Sequence, residues 1–226
     1  MTALAEAVLL ARLGDGPAAA WLRAALAGVR AAPGDLDGAA ALARAFAAAG
    51  RRLARAPAAS IEAGVRVAAG GPALAPGAWP AAELGRVLLL RTALDVVASL
   101  EGTAGATLVE TLFRGGTLGE QRAIARALAV LPAPARFVGL GIEIVRSNAS
   151  ALVEAIACDN PFPAAHFPDP AFNQMVVKAL FIGLPLGRVL GLEQRRTPEL
   201  GRMVRAFASE RRAAGRAVPP DADLLL

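Results

Sequence analysis

The chain contains no tyrosine, and only one cysteine (Cys158), one histidine (His166) and one lysine (Lys178) among 226 residues. Each scarcity excludes something. A lone cysteine forms no internal disulfide, so a disulfide-stapled secreted domain is excluded and the cytoplasm is the expected compartment. One histidine and one cysteine leave too few soft ligands for a zinc site, and no metal or cofactor is expected. Long hydrophobic runs are missing too. The longest uncharged stretch, residues 67–82, is broken by Gly70, Gly71, Pro72, Pro76, Gly77 and Pro80, whereas a helix needs about 20 continuous apolar residues to cross a bilayer. The apolar run at residues 3–13 carries Glu6 and Arg12 and has no basic leader, unlike a signal peptide. No stretch of four or more residues alternates convincingly as a strand, and Val and Ile are sparse.

Alanine supplies much of the 55% apolar content. Alanine is the best helix former, so composition points to an all-α fold. The length fits one domain able to bury a real core. The net charge of +5 comes almost wholly from arginine. Those arginines are scattered over many predicted helices, with no interleaved aromatics to stack bases, which argues against a nucleic-acid partner.

Apolar spacing predicts helices over residues 2–13 and 17–31, separated by Gly14-Asp15-Gly16. A third begins near Leu36 and ends near Gly50. A short helix near 58–68 follows, with Ile61, Val65 and Val67. Residues 70–80 read as a linker with Trp79 anchoring its end. Residues 81–100 are apolar on more than one face, as in a central helix packed on several sides. Further helices are predicted at 104–114, after a Thr117/Glu120 capping box, at 134–146 and at 148–158. Asp169-Pro170 and Thr197-Pro198 then open two more by N-cap and N1 chemistry. The tail at 219–226 reads as loose. The succession of short helix pairs suggests a single all-helical domain over 1–226, with a subdivision into 1–70 and 79–218. Antiparallel hairpins would stack into an α-α superhelix of the HEAT type, or else form an irregular orthogonal bundle.

Residues 158–181, CDNPFPAAHFPDPAFNQMVVKALF, stand apart. They hold the only Cys, His and Lys, two of the three Asn (Asn160, Asn173), and four of the eight Phe. Where arginine has replaced lysine everywhere else, a surviving lysine marks a position needing a compact ammonium. Lys178 would bind an anionic group, pair with Glu154 or Glu143, or simply snorkel at a helix edge. Asn160-Pro161-Phe162-Pro163 reads as an extended turn between helices, kept out of a helix by its prolines. His166 sits on that loop as a packed or surface residue, or as a general base. Cys158 reads as a small buried thiol more readily than as a nucleophile. Arg146 and Asn148 precede the next helix and could face the same place. Arg211 falls on the apolar stripe of the last helix, after Met203 and Phe207. It is expected to reach inward to the 160–169 segment, while Arg212 stays in solvent.

The block from Arg146 to Asp221, with its NPFP, FNQMV, KALF and ERRAAGR segments, resembles the C-terminal part of EboA-family proteins. The N-terminal half fits through its helical character and the Leu-rich helix at 81–100. Arg146, Asn148, Asn160, Pro161, Asn173, Lys178, Arg195, Glu210 and Arg211 match the motif positions. Phe162 and His166 stand where tyrosines are expected. The resemblance implies a bacterial cytoplasmic protein encoded beside a UbiA-type prenyltransferase and a sugar-phosphate-cyclase-like enzyme. Together these make or export a small prenylated metabolite. It supplies no catalytic residues.

The expected function is therefore that of an accessory protein holding a small molecule or a pathway partner. The ligand would be anionic or polyhydroxylated. Candidate contacts are Arg146, Asn148, Asn160, His166, Asn173, Lys178 and Arg211. An enzyme reading would need His166 or Glu154 as acid/base and Lys178 as electrostatic stabiliser, all converging on one cavity. A protein–protein scaffold is the third reading.

Overall fold

The computed structural model describes residues 3–32, 36–61, 77–97 and 104–226. The fold is all-α, as the composition predicts, and it forms two compact units, Met1–Phe137 and Val138–Leu226.

The first unit contains α1 (Ala3–Leu13), α2 (Pro17–Ala31), α3 (Leu36–Arg52), α4 (Ala81–Val97), α5 (Ala104–Gly115) and α6 (Leu118–Ala127). Helix α4 is its axis. Leu84, Val87, Leu88, Leu89, Leu90 and Leu94 are all buried, and α1, α2, α3, α5 and α6 pack around it. This is the central helix that an apolar sequence on more than one face predicts. Gly85 leaves room for Leu53, just after α3, because a Cβ there would sit 2.5 Å from a Leu53 methyl. The capping box opens α6 as expected, with the Thr117 amide donating to Glu120 Oε2 at 2.6 Å.

The expected helix near 58–68 does not form at its start. Ala59–Ile61 is instead a short strand, β1, paired antiparallel with β2 (Gly77–Trp79), Ala59 opposite Trp79. Gly77 at φ +129° adopts a backbone conformation that other residues rarely do. Three residues are too few for alternation to register, so the strands carry no sequence signal. Val65 and Val67 lie outside the described residues. Trp79 is buried at 3% exposure, the anchor its position suggested.

The second unit contains α7 (Val138–Arg146), α8 (Ser150–Ala157), α9 (Phe162–His166), α10 (Asp169–Ile182) and α11 (Pro198–Ala213). Helix α10 packs on α7, α8 and α11 through Phe172, Met175, Val176, Ala179 and Leu180. Gly183 ends α10 in the left-handed region at φ +77°. Thr197 caps α11 by accepting from the Leu200 amide at 3.1 Å.

Two expectations are corrected here. The segment after Asn160 is a helical turn, not an extended loop: Pro163 sits at the second position of α9, where a missing N–H breaks no helical bond. The tail is not loose. Residues Pro220–Leu224 form a 3₁₀ turn, Ala222 and Leu225 are buried, and Asp221 Oδ2 accepts the Leu186 amide at 2.6 Å.

Candidate functional site

The unusual window of the sequence folds as a tightly tied corner. The Asn160 side chain is 4% exposed and bridges two elements. Its Oδ1 accepts from the Phe162 amide at 3.0 Å, closing an Asx turn, and its Nδ2 donates to the Ala155 carbonyl at 3.1 Å. Asparagine suits this place because one side chain supplies both acceptor and donor. The rings of Phe162 and Phe167 then meet edge to face, centroids 5.8 Å apart, against Gly141 of α7. A Cβ on Gly141 would lie 2.8 Å from both rings.

Arg195 fastens the same corner from the other side. Its Nη1 donates to the Ala164 carbonyl at 2.6 Å, and its Nη2 to the Phe167 carbonyl at 2.7 Å and Asp169 Oδ1 at 2.8 Å. The guanidinium also lies over the Phe172 ring, 4.8 Å from its centre. These are the ties expected of Arg211. Arg211 turns back instead, its Nε donating to the Ala217 carbonyl at 2.6 Å beside the Phe207 ring. The reason is local: the chain after α11 folds back and brings a free carbonyl within reach of its own last turn. Arg212 is exposed, as expected.

Cys158 is buried, as its type suggests, and remains a free thiol. Burial pushes its pKa from 9.0 up to about 11; nearby Glu154 and Asp159 add to this and Arg188 opposes it. A thiol so placed is no nucleophile at neutral pH. Glu154 is engaged as well. Arg188 donates to Glu154 Oε1 at 2.8 Å and to Asp159 Oδ2 at 2.6 and 2.9 Å, and these bonds raise its own pKa. Asp159 holds φ +53°, and its amide donates to the Arg188 carbonyl at 2.8 Å.

Lys178 stands differently. It is half-buried on α10, and its Nζ donates to the Ser147 carbonyl at 2.6 Å, just past the C-terminal end of α7. A cation suits a helix C-terminus, where carbonyls carry partial negative charge. Neither Glu154 nor Glu143 pairs with it, and no described carboxylate does. Arg146 and Asn148 flank Ser147 in the chain, and both are exposed with no described partner for either side chain. Of the predicted contacts, Lys178 reaches this carbonyl, and Arg146 and Asn148 are its neighbours in the chain.

The others lie elsewhere in the unit. Asn173 is 2% exposed; its Nδ2 reaches Thr197 Oγ1 at 3.4 Å, and its Oδ1 has no described partner. His166 packs its half-buried ring 5.1 Å from that of Phe162, and burial lowers its pKa below the usual 6.5. Asn160 belongs to its turn. Among the described residues, no group of three or more His, Cys, Asp and Glu could hold a metal.

Residues 9–224 match a protein family described as metabolite traffic protein EboA. The chain belongs to the EboA family. No curated protein and no solved structure matches it. The match covers nearly the whole chain, so it takes in most of both units of this EboA-family protein. No helix among the described residues is long and apolar enough to cross a membrane.

The first unit of this EboA protein also holds a buried charge network that composition and periodicity do not single out. Glu83, 5% exposed, accepts from Arg122 at 3.0 Å and Arg126 at 2.8 Å; Arg126 also lies over Trp79, 4.5 Å from the ring centre. Arg86 donates to the Phe46 carbonyl at 3.0 Å and lies 3.9 Å from Glu120, its pKa lowered by burial despite both nearby carboxylates. The available signal was Glu83 and Arg86 standing in a helix apolar on every side. Such charges must be buried, and buried charges need partners.

Proposed function

We propose that this EboA-family chain serves metabolite traffic as a non-catalytic binding protein. In this reading the Lys178 ammonium, with Arg146 and Asn148 beside it, receives an anionic or polyhydroxylated small molecule of the pathway. One observation carries the reading. Lys178 is a half-buried ammonium with a single carbonyl acceptor and no described carboxylate. A lysine has three donors, so two remain for an incoming anion. The flanking guanidinium and amide add donors of the kind that anions and hydroxyls accept from.

The enzyme alternative has less support. Cys158 is held as a thiol, Glu154 is bound to Arg188, and Lys178 faces the Ser147 carbonyl. No nucleophile, base and orienter stand in hydrogen-bonded sequence among them. Asn160, Asn173 and Arg211 act as structural ties in this reading, and His166 packs on Phe162 away from the ligand. A cytoplasmic setting fits a lone cysteine kept as a free thiol.

Calorimetric titration of the purified chain with inorganic phosphate tests the reading. Saturable binding that weakens at least tenfold in Lys178→Gln, with an unchanged melting temperature, is the expected result. Equal binding by the two proteins places the anion elsewhere and overturns it.

A further inference from the structure

Seven of the eight phenylalanines are buried, each at 9% exposure or less; Phe181 is 64% exposed. It lies three residues after Lys178 on α10, so the two side chains are neighbours one helical turn apart. Gln174, also exposed, is four residues before Lys178, and the three share the face opposite the buried stripe of Phe172, Met175, Val176, Ala179 and Leu180. The family-matching segments FNQMV and KALF thus place a half-buried ammonium with a single carbonyl acceptor beside a bare aromatic ring. A single exposed apolar side chain is ordinary on a protein surface; what sets Phe181 apart is that it adjoins a lysine with spare donors.

We propose that this face of α10 binds an amphiphilic anion: a phosphate or carboxylate head at Lys178 joined to an apolar body that lies on the Phe181 ring. The inference rests on the reading of Lys178 as an anion site and adds the apolar half of the ligand. Charge complementarity selects the head, because Lys178 and Arg146 have no described carboxylate partner. The scale of the apolar patch selects a single dissolved molecule over a membrane. A helix lying in a bilayer surface presents a broad apolar face, whereas Phe181 is the one exposed large apolar residue of α10, Val177 and Ile182 beside it being half-buried. One ring covers one chain or one flat ring system. The i to i+3 spacing puts head and body about 5–6 Å apart at the Cβ level, so they must be joined by a short link.

The full chain is titrated with inorganic phosphate and with n-octyl phosphate below its micelle concentration, alongside Phe181→Ala. The ring is exposed, so this variant is expected to keep the wild-type melting temperature. Octyl phosphate should bind about tenfold tighter than phosphate, as about 1.4 kcal/mol of apolar contact gives. Phe181→Ala should erase that gain and leave phosphate binding unchanged. If phosphate binds through Lys178 but the octyl chain adds nothing, or adds equally in Phe181→Ala, the amphiphile inference fails and the anion site stands. If neither probe binds the wild type, the anion reading fails and takes the inference with it. Co-sedimentation with vesicles containing phosphatidic acid, lost in Phe181→Ala, would overturn the assignment to a dissolved ligand in favour of a membrane surface.

Discussion

The Arg195 guanidinium lies 4.8 Å from the centre of the Phe172 ring while it donates to the carbonyls of Ala164 and Phe167. One side chain thereby holds α9, the start of α10 and the segment joining them. Charge-assisted hydrogen bonds contribute about 1.5–3 kcal/mol each, less where water competes. Arg195→Ala is expected to lower unfolding stability by about 2–3 kcal/mol. Arg211→Ala removes one exposed bond at the end of α11, where water competes for both partners, and should cost under about 1 kcal/mol. Urea denaturation of both variants decides it. Equal losses would mean that the corner is not held by Arg195.

Two glycines of α7 make a matched pair. Gly139 has open space where a Cβ would go, whereas a Cβ on Gly141 would press on the Phe162 and Phe167 rings. Gly139→Ala should stabilise by up to about 1 kcal/mol through helix propensity. Gly141→Ala should destabilise by about 1–3 kcal/mol, because both rings must shift. Opposite signs in thermal unfolding are the expected outcome, and a gain at both positions would contradict the packing of the aromatic corner.

Cys158 gives the chain an alkaline signature. The folded thiol keeps its proton up to about pH 11, while the unfolded thiol loses it near 9.0. Between those values the unfolded state holds fewer protons, so stability falls as pH rises through that window, by about 2–3 kcal/mol in all. With no tyrosine and a single lysine, few other groups titrate there. Cys158→Ala should flatten the pH dependence. A thiol reagent at pH 8 should react with the native protein far more slowly than with the unfolded chain.

His166, the sole histidine, can be followed by one proton NMR signal. Burial disfavours its charged form, so the titration midpoint should lie below 6.5. The unfolded state then binds more protons as pH falls through that region, and a small part of the stability is lost on acidification. A midpoint at or above 6.5 would require an acidic neighbour that the described structure does not show.

The helices were legible because their signals are local: apolar spacing marked α4, and side-chain caps marked the starts of α6 and α11. What escaped depends on partners distant in sequence. β1 is held by pairing with β2, and the tail by Asp221 reaching the Leu186 amide. Composition marked Lys178 and Asn160 alike as exceptions, yet it could not distinguish a side chain consumed by an Asx turn from one left with spare donors. Arg195 and Arg211 show the same limit. Arg195 stands in the turn before α11, after Glu193 and Gln194, and Arg211 in the last turn of α11, and only the path of the chain decides which guanidinium meets the corner. Phe181 was read as part of a cluster, although its value lies in being the one phenylalanine left uncovered.

The central claim is that Lys178 presents its ammonium to an anion, and the composition allows a direct measurement. Protein labelled with ¹³C and ¹⁵N only in lysine carries one reporting side chain, since the chain has a single lysine. Titrating inorganic phosphate into the folded protein at low salt should move the Lys178 Cε and Nζ signals along a saturable curve, with chloride at equal ionic strength moving them little. No shift up to tens of millimolar phosphate, about where a binding energy of 2–3 kcal/mol saturates, or the same shift with chloride, would contradict the claim.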